Sequence, residues 1–299
     1  MKTAAEYMEL ANARATQRSV LVDENECKYW FYPATTTPSA KAKNIVLVHG
    51  YRGDHHGLES FAGGLSDYNI YAPDLPGFGV STPLKVEHSL ENYVLWFKGF
   101  IKQIGLVNPI SIGHSFGTLI TSALESKEHT FSAMIFINPV GGGKVQGLSR
   151  FLMYFVKAYY WLAHVLPESI GLRMVKTFLL VDSMSSYTTK SKNKSLRTWI
   201  KGQHRQHFNS FANSQVVWES YVASISNTMA PYINGINVPS LLIAAELDEV
   251  TPVEAVKKMS NDMNSAVMYE IANCGHLVHY EAAEEAVDQM TRFLEGLPN

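Results

Sequence analysis

Short apolar runs rich in β-branched residues alternate with stretches of helical apolar spacing along most of this chain. Residues 44–48, 69–72, 110–112, 133–137, 240–244 and 266–271 read as buried strands. Helical spacing falls between them, near 58–65, 90–104, 116–126, 252–263 and 281–294. Two further strands are expected ahead of these, near 19–22 and 27–31. Strands without a polar face, each followed by a helix, specify an α/β fold with a mostly parallel sheet covered on both sides.

The alternation stops after Val140 and resumes near Asn237. Gly141-Gly142-Gly143 opens the interruption and is expected to act as a hinge. Beyond it lie aromatic residues at helical spacing, among them Phe151, Tyr154, Phe155, Tyr160, Phe178, Trp199, Phe211 and Trp218. The expected division is a core of residues 1–139 and 237–299, with 140–236 forming a helical cap over the carboxyl edge of the sheet. With 46% hydrophobic and 17% charged residues in 299, such a core can be filled.

In sheets of this kind chemistry collects beyond the carboxyl ends of the strands. Gly113-His114-Ser115-Phe116-Gly117 follows the 110–112 strand and opens a helix. A serine on so sharp a turn projects its hydroxyl outward, and the turn crowds the residues two before and two after it, which must be small. Ser115 is therefore the expected nucleophile. A serine hydroxyl needs a base within hydrogen-bond reach. His276, on the loop after the last strand, is the expected base, with His279 as its competitor nearer the helix. Asp248, just past the 240–244 strand, is the expected acid that fixes the imidazole tautomer, with Glu246 and Glu249 as rivals. An oxyanion needs two backbone N–H donors. Phe116 follows the nucleophile, and Tyr51 follows His49-Gly50 after the 44–48 strand.

These segments together resemble the α/β-hydrolase superfamily in its capped, esterase-like branch. The resemblance is carried by Val48-His49-Gly50, by Asp74-Leu75-Pro76-Gly77-Phe78-Gly79-Val80-Ser81, by Gly113-His114-Ser115-Phe116-Gly117, by the segment from Asp248 to Pro252 and by Gly275-His276. It covers about residues 40–140 and 237–295, and the order Ser115, Asp248, His276 is the order that family uses. It implies an eight-stranded core and an acyl-enzyme mechanism without a cofactor. Haloalkane dehalogenases and epoxide hydrolases of the superfamily carry aspartate where Ser115 stands. The proline iminopeptidase branch usually has Trp where this chain has Phe116.

The reaction expected is hydrolysis of small to medium apolar carboxylic esters. C–C bond hydrolysis or acyl transfer would use the same residues, and a non-catalytic small-molecule binder on this scaffold is the other class. Arg52, His114 and Tyr154 are candidate substrate contacts, Arg52 for a substrate carboxylate or, equally, for a structural ion pair. Residues 184–207 carry six cations (Lys190, Lys192, Lys194, Arg197, Lys201, Arg205) and no acid, which attracts anions or lipid surfaces or simply forms a solvated face. His55-His56 invites a metal, but sequence neighbours diverge and no further ligands cluster nearby, so no metal is expected. A formal charge of −2 gives no pull toward nucleic acid. The run 151–166 contains Lys157 and His164 and is expected to be an amphipathic or buried helix, without stable membrane insertion. Two cysteines form no framework. The first eighteen residues lack an apolar core of the signal-peptide kind, so a cytoplasmic monomer or homodimer is the expectation.

Overall fold

The computed structural model describes residues 2–36, 38–142 and 147–298. Eight strands form one sheet: β1 (Thr16–Val22), β2 (Asn25–Tyr32), β3 (Asn44–Val48), β4 (Asn69–Pro73), β5 (Ile110–His114), β6 (Ala133–Ile137), β7 (Ser240–Ala245) and β8 (Ala266–Ile271). Their order is β1-β2-β4-β3-β5-β6-β7-β8. The β1–β2 hairpin joins β4 antiparallel, and every other pairing is parallel. The mostly parallel, eight-stranded α/β sheet expected from the pattern and the resemblance is the observed one.

The two-residue period of the strands sorts their side chains into two cores. Ile45, Leu47, Ile135 and Ile243 enter one, and Val46, Val48, Phe136 and Leu242 enter the other. Helices α3 (Leu90–Gln103) and α4 (Phe116–Glu128) cover the second face. Helices α1 (Ala4–Asn12), α2 (Glu59–Gly64), α11 (Val278–Glu281) and α12 (Ala283–Glu295) cover the first, and α10 (Val253–Asp262) packs on β7 and β8. The sequence reading omits α1. Its short length hides its period, yet Thr3 and Glu6 form a reciprocal N-terminal cap, and Ala4, Tyr7, Met8 and Ala11 are buried.

Among the described residues, five α-helices lie in the interval between β6 and β7: α5 (Gly147–Val165), α6 (Glu168–Val175), α7 (Phe178–Thr188), α8 (Lys194–His207) and α9 (Ser214–Ser226). They are stitched to the loop after β4. The Gly79 N–H donates to Ser210 O at 2.7 Å, and the Ala212 N–H donates to Gly77 O at 2.9 Å. Gly77 has φ +82°, and a Cβ there would press into Val216, so this contact requires glycine. Of the expected hinge, Gly142 has φ +75°, and Gly143 lies outside the described residues. Among the described residues no helix is long and apolar enough to cross a membrane.

Candidate active site

Ser115 sits between the end of β5 and the start of α4 with φ 50° and ψ −116°, a strained conformation for a residue with a side chain. The crowding expected of the turn is measurable. A Cβ on Gly113 would stand 3.0 Å from the Gly117 carbonyl, and one on Gly117 would stand 2.2 Å from Val48 O. Neither neighbour is a movable side chain, so glycine is required at Gly117 and a side chain at Gly113 would be tight against backbone.

The loop after β8 and the loop after β7 bring the other two residues to this turn. Ser115 Oγ lies 3.0 Å from His276 Nε2, and His276 Nδ1 lies 2.7 Å from Asp248 Oδ2. In the tautomer these bonds define, Nδ1–H donates to the carboxylate and Nε2 accepts from the serine hydroxyl. Asp248 also accepts from Thr251 Oγ1 at 2.6 Å, from the Val250 N–H at 2.7 Å and from the Thr251 N–H at 3.1 Å. Burial opposes its charge, but the imidazole and these donors outweigh it, and its pKa lies below the usual carboxylate value. The rivals are placed elsewhere. Glu246 accepts from the Asn273 N–H, and Glu249 pairs with Lys190. His279 is buried behind the loop, its ring against His114.

The Gly50–Tyr51 backbone closes over the serine. A Cβ on Gly50 would stand 3.2 Å from Ser115 Cβ. His49 holds this loop in place, with Nε2 accepting from the Leu75 N–H at 2.9 Å and Nδ1 donating to Gly50 O at 2.8 Å. Burial pushes its pKa down, so it stays neutral and can accept at one nitrogen while donating at the other. Among the described residues, neither the Tyr51 nor the Phe116 N–H has a protein acceptor. Both remain available to a ligand oxygen at Ser115.

The three residues expected to touch substrate are placed differently. Arg52 is fully buried and spends its guanidinium on the helices above the sheet: Nη1 donates to Tyr160 Oη, Nη2 to Val175 O and Asn209 Oδ1, and Nε to Phe208 O. Buried in these bonds, it is not free for a substrate carboxylate, among the described residues it forms no ion pair, and its φ of 58° is itself unusual for a residue with a side chain. His114 is buried, with Nε2 at 3.1 Å from His276 O, so it lies behind the base, and burial holds its pKa at about 3. Tyr154 is 54% exposed on α5, which does not make an enclosed pocket wall.

The expected divergence of His55 and His56 also fails. Their rings lie 3.8 Å apart, His207 stacks on His56 at the same distance, and Asp54, His55 and His56 present ligand atoms within 4.8 Å. The imidazole Nδ1 atoms are engaged by Asp74 and Asp54 respectively. The neighbours therefore converge with Asp54 on one small region, which the sequence pattern does not show.

Two supporting residues escape the sequence reading. Asn138, buried at the end of β6 with φ 46°, donates from Nδ2 to His276 O at 2.9 Å and accepts from the Ala245 N–H. Glu281, on α11, accepts from the N–H groups of Gly275, Lys190 and Ser191. The position of Asn138 at a strand end is the only signal of its role. Glu281 sits in an ordinary helical pattern and has none.

A family model described as the alpha/beta hydrolase fold matches residues 43–283, and the chain belongs to that family. An uncharacterized hydrolase of Bacillus subtilis is 23% identical over 259 residues, covering 85% of this chain and 90% of its own. Lipase 3 of a Moraxella species is 21% identical over 262 residues, covering 85% and 78%. Among solved structures, an enol-lactonase from Burkholderia xenovorans superposes with a TM-score of 0.78 at 17% identity, covering 93% of this chain and 100% of that one.

Proposed function

We propose that this protein is a serine hydrolase of carboxylic esters. The observation that carries the reading is the unbroken hydrogen-bonded line from Ser115 Oγ through His276 to Asp248, beside two unengaged N–H donors. His276 takes the Ser115 proton as Oγ attacks the ester carbonyl. The Tyr51 and Phe116 N–H groups hold the oxyanion, each contributing about 3–4 kcal/mol. His276 then protonates the leaving alcohol, and water repeats the sequence on the acyl-enzyme. Asp248 stabilises the imidazolium in both halves. The helices α5–α9 act as a lid over the site. A relative carrying the name lipase supports an ester substrate.

The test is hydrolysis of p-nitrophenyl esters from C2 to C12 by the wild type and by Ser115→Ala. Turnover should fall on the order of 10⁶-fold in the variant, and the chain-length optimum sizes the acyl pocket. Wild-type turnover that survives the substitution would refute the nucleophile. If no ester is cleaved, the ester reading fails. Labelling of Ser115 by a fluorophosphonate would then separate a C–C hydrolase or acyltransferase from a non-catalytic binder.

A further inference from the structure

The cations of residues 184–207 take no part in the reaction above, yet three of them line a cavity of about 370 Å³ between α7 and α8. Its walls are Lys194, Arg197 and Lys201 together with the hydroxyl residues Ser185, Ser186, Thr189 and Thr198. No carboxylate lines it, and neither do Ser115, Asp248 or His276. Its volume is that of a small-molecule site, on the order of 300–1,000 Å³.

The charges do not cancel. Lys201 shares Asp182 with Arg205. Lys190, next along the chain from Thr189, is neutralised by Glu249. Lys194 has no carboxylate partner among the described residues. Arg197 gives Nη1 to the carbonyl oxygens of Thr189 and Ser191, which leaves the rest of its fork unbonded. Two cations without a direct carboxylate partner among the described residues therefore face one small volume, with Glu281 acting on Arg197 only from beyond ion-pair distance.

Thr189 is only 3% exposed, and its Oγ1 has no hydrogen-bond partner. A buried hydroxyl left unpaired is costly, and turning this one into the cavity would let a ligand oxygen satisfy it. The wall that carries it is already rigid. Thr188 O accepts the His276 N–H at 3.0 Å, and Glu281 holds the Lys190 and Ser191 N–H groups. Preorganised donors lose little freedom when a ligand arrives.

We propose that this cavity is a binding site for a phosphate monoester group. A guanidinium fork and an ammonium on α8 face hydroxyls on α7, so donors converge from two sides on an acceptor with oxygens in several directions. A flat carboxylate would satisfy one wall only. The two cations that lack a direct carboxylate partner match the −1.5 to −2 charge, roughly, of a phosphate monoester at neutral pH.

The experiment is calorimetric titration at fixed ionic strength with glycerol 3-phosphate, on the full chain and on Ser115→Ala. Saturable one-to-one binding should persist in Ser115→Ala, which separates this site from the proposed hydrolytic one and lets either reading fail alone. Lys194→Gln and the near-isosteric Thr189→Val should each weaken it about tenfold or more, whereas Lys98→Gln, a distant surface lysine paired with Glu128, should not. Vesicles containing phosphatidic acid, set against phosphatidylcholine alone, identify the source. Capture that depends on Lys194 with no response to the soluble ester assigns a lipid headgroup, and the reverse assigns a soluble metabolite. No saturable binding to either, or equal weakening by Lys98→Gln, would overturn the proposal and leave only a diffuse ion atmosphere.

Discussion

Around Ser115 nearly every atom has a neighbour that cannot give way, whereas the outer surface of the helices between β6 and β7 has neighbours on one side only. A methyl on Gly117 would meet Val48 O at 2.2 Å, and Asp248 is held by four hydrogen bonds. On α7, by contrast, Phe178 is 63% and Leu179 79% exposed. The lower region is specified atom by atom because a shift of a fraction of an ångström breaks a proton path. The upper region is tied down along its inner face, through Arg52, the strand-like contact of residues 77–79 with 210–212 and the Thr188 and Glu281 bonds, and its outward face is left open to other constraints.

The sharpest way to break this contrast is at the acid. Asp248→Asn keeps the shape of the site but favours the wrong imidazole tautomer, and ester turnover should fall about 10⁴-fold. Glu246→Gln should leave it unchanged. A reversal of these two results would move the acid to Glu246.

Next in size is the tie between the regions. Arg52→Met removes the donors serving Tyr160, Val175 and Asn209, and each acceptor left unpaired costs about 1–3 kcal/mol. Urea unfolding should register a loss of several times the effect of an ordinary surface substitution. Stability equal to wild type would show that the helices are held by other contacts.

An effect of similar size follows from histidines buried around the site. Burial holds His114 at about 3 and His204 at about 4, and it lowers His279 well below the usual value. In the unfolded chain each takes a proton near pH 6.5, roughly, while in the folded chain each stays neutral. The unfolded state therefore binds more protons below that pH, and stability should fall as pH drops from 7 toward 4. The slope is about 1.4 kcal/mol per pH unit for each such group. Unfolding curves at pH 7.5, 6 and 5 check the sign, and constant stability across them would contradict it. Smallest of all, Leu179→Ser on the open face should change stability by less than about 0.5 kcal/mol. A large loss would show that this face is covered.

The strands were legible because a sheet buried on both sides forces continuous apolar runs, as in residues 44–48 and 133–137. The serine turn was legible because its steric demands call for small residues two positions away on each side. Helix α1 was not, since nine residues show barely more than two turns of pattern and their burial depends on α2. Arg52, His114 and the adjoining His55 and His56 were misjudged for a shared reason. Each is a polar residue beside the site in sequence, and whether it faces a ligand or a protein partner depends on residues more than a hundred positions away or on another turn of chain.

Sequence alone determined the sheet, the strained serine and the chain order of Ser115, Asp248 and His276, because backbone sterics and hydrophobic period are local rules. Only the tertiary structure decided that Asp248 rather than Glu246 meets the imidazole, that Asn138 and Glu281 support its loop, and that Lys194 and Arg197 converge on one cavity with Thr189 in its wall. Those are relations between separate elements, and hydrogen bonds and charges act through distance in space, which the order of residues along a chain does not contain.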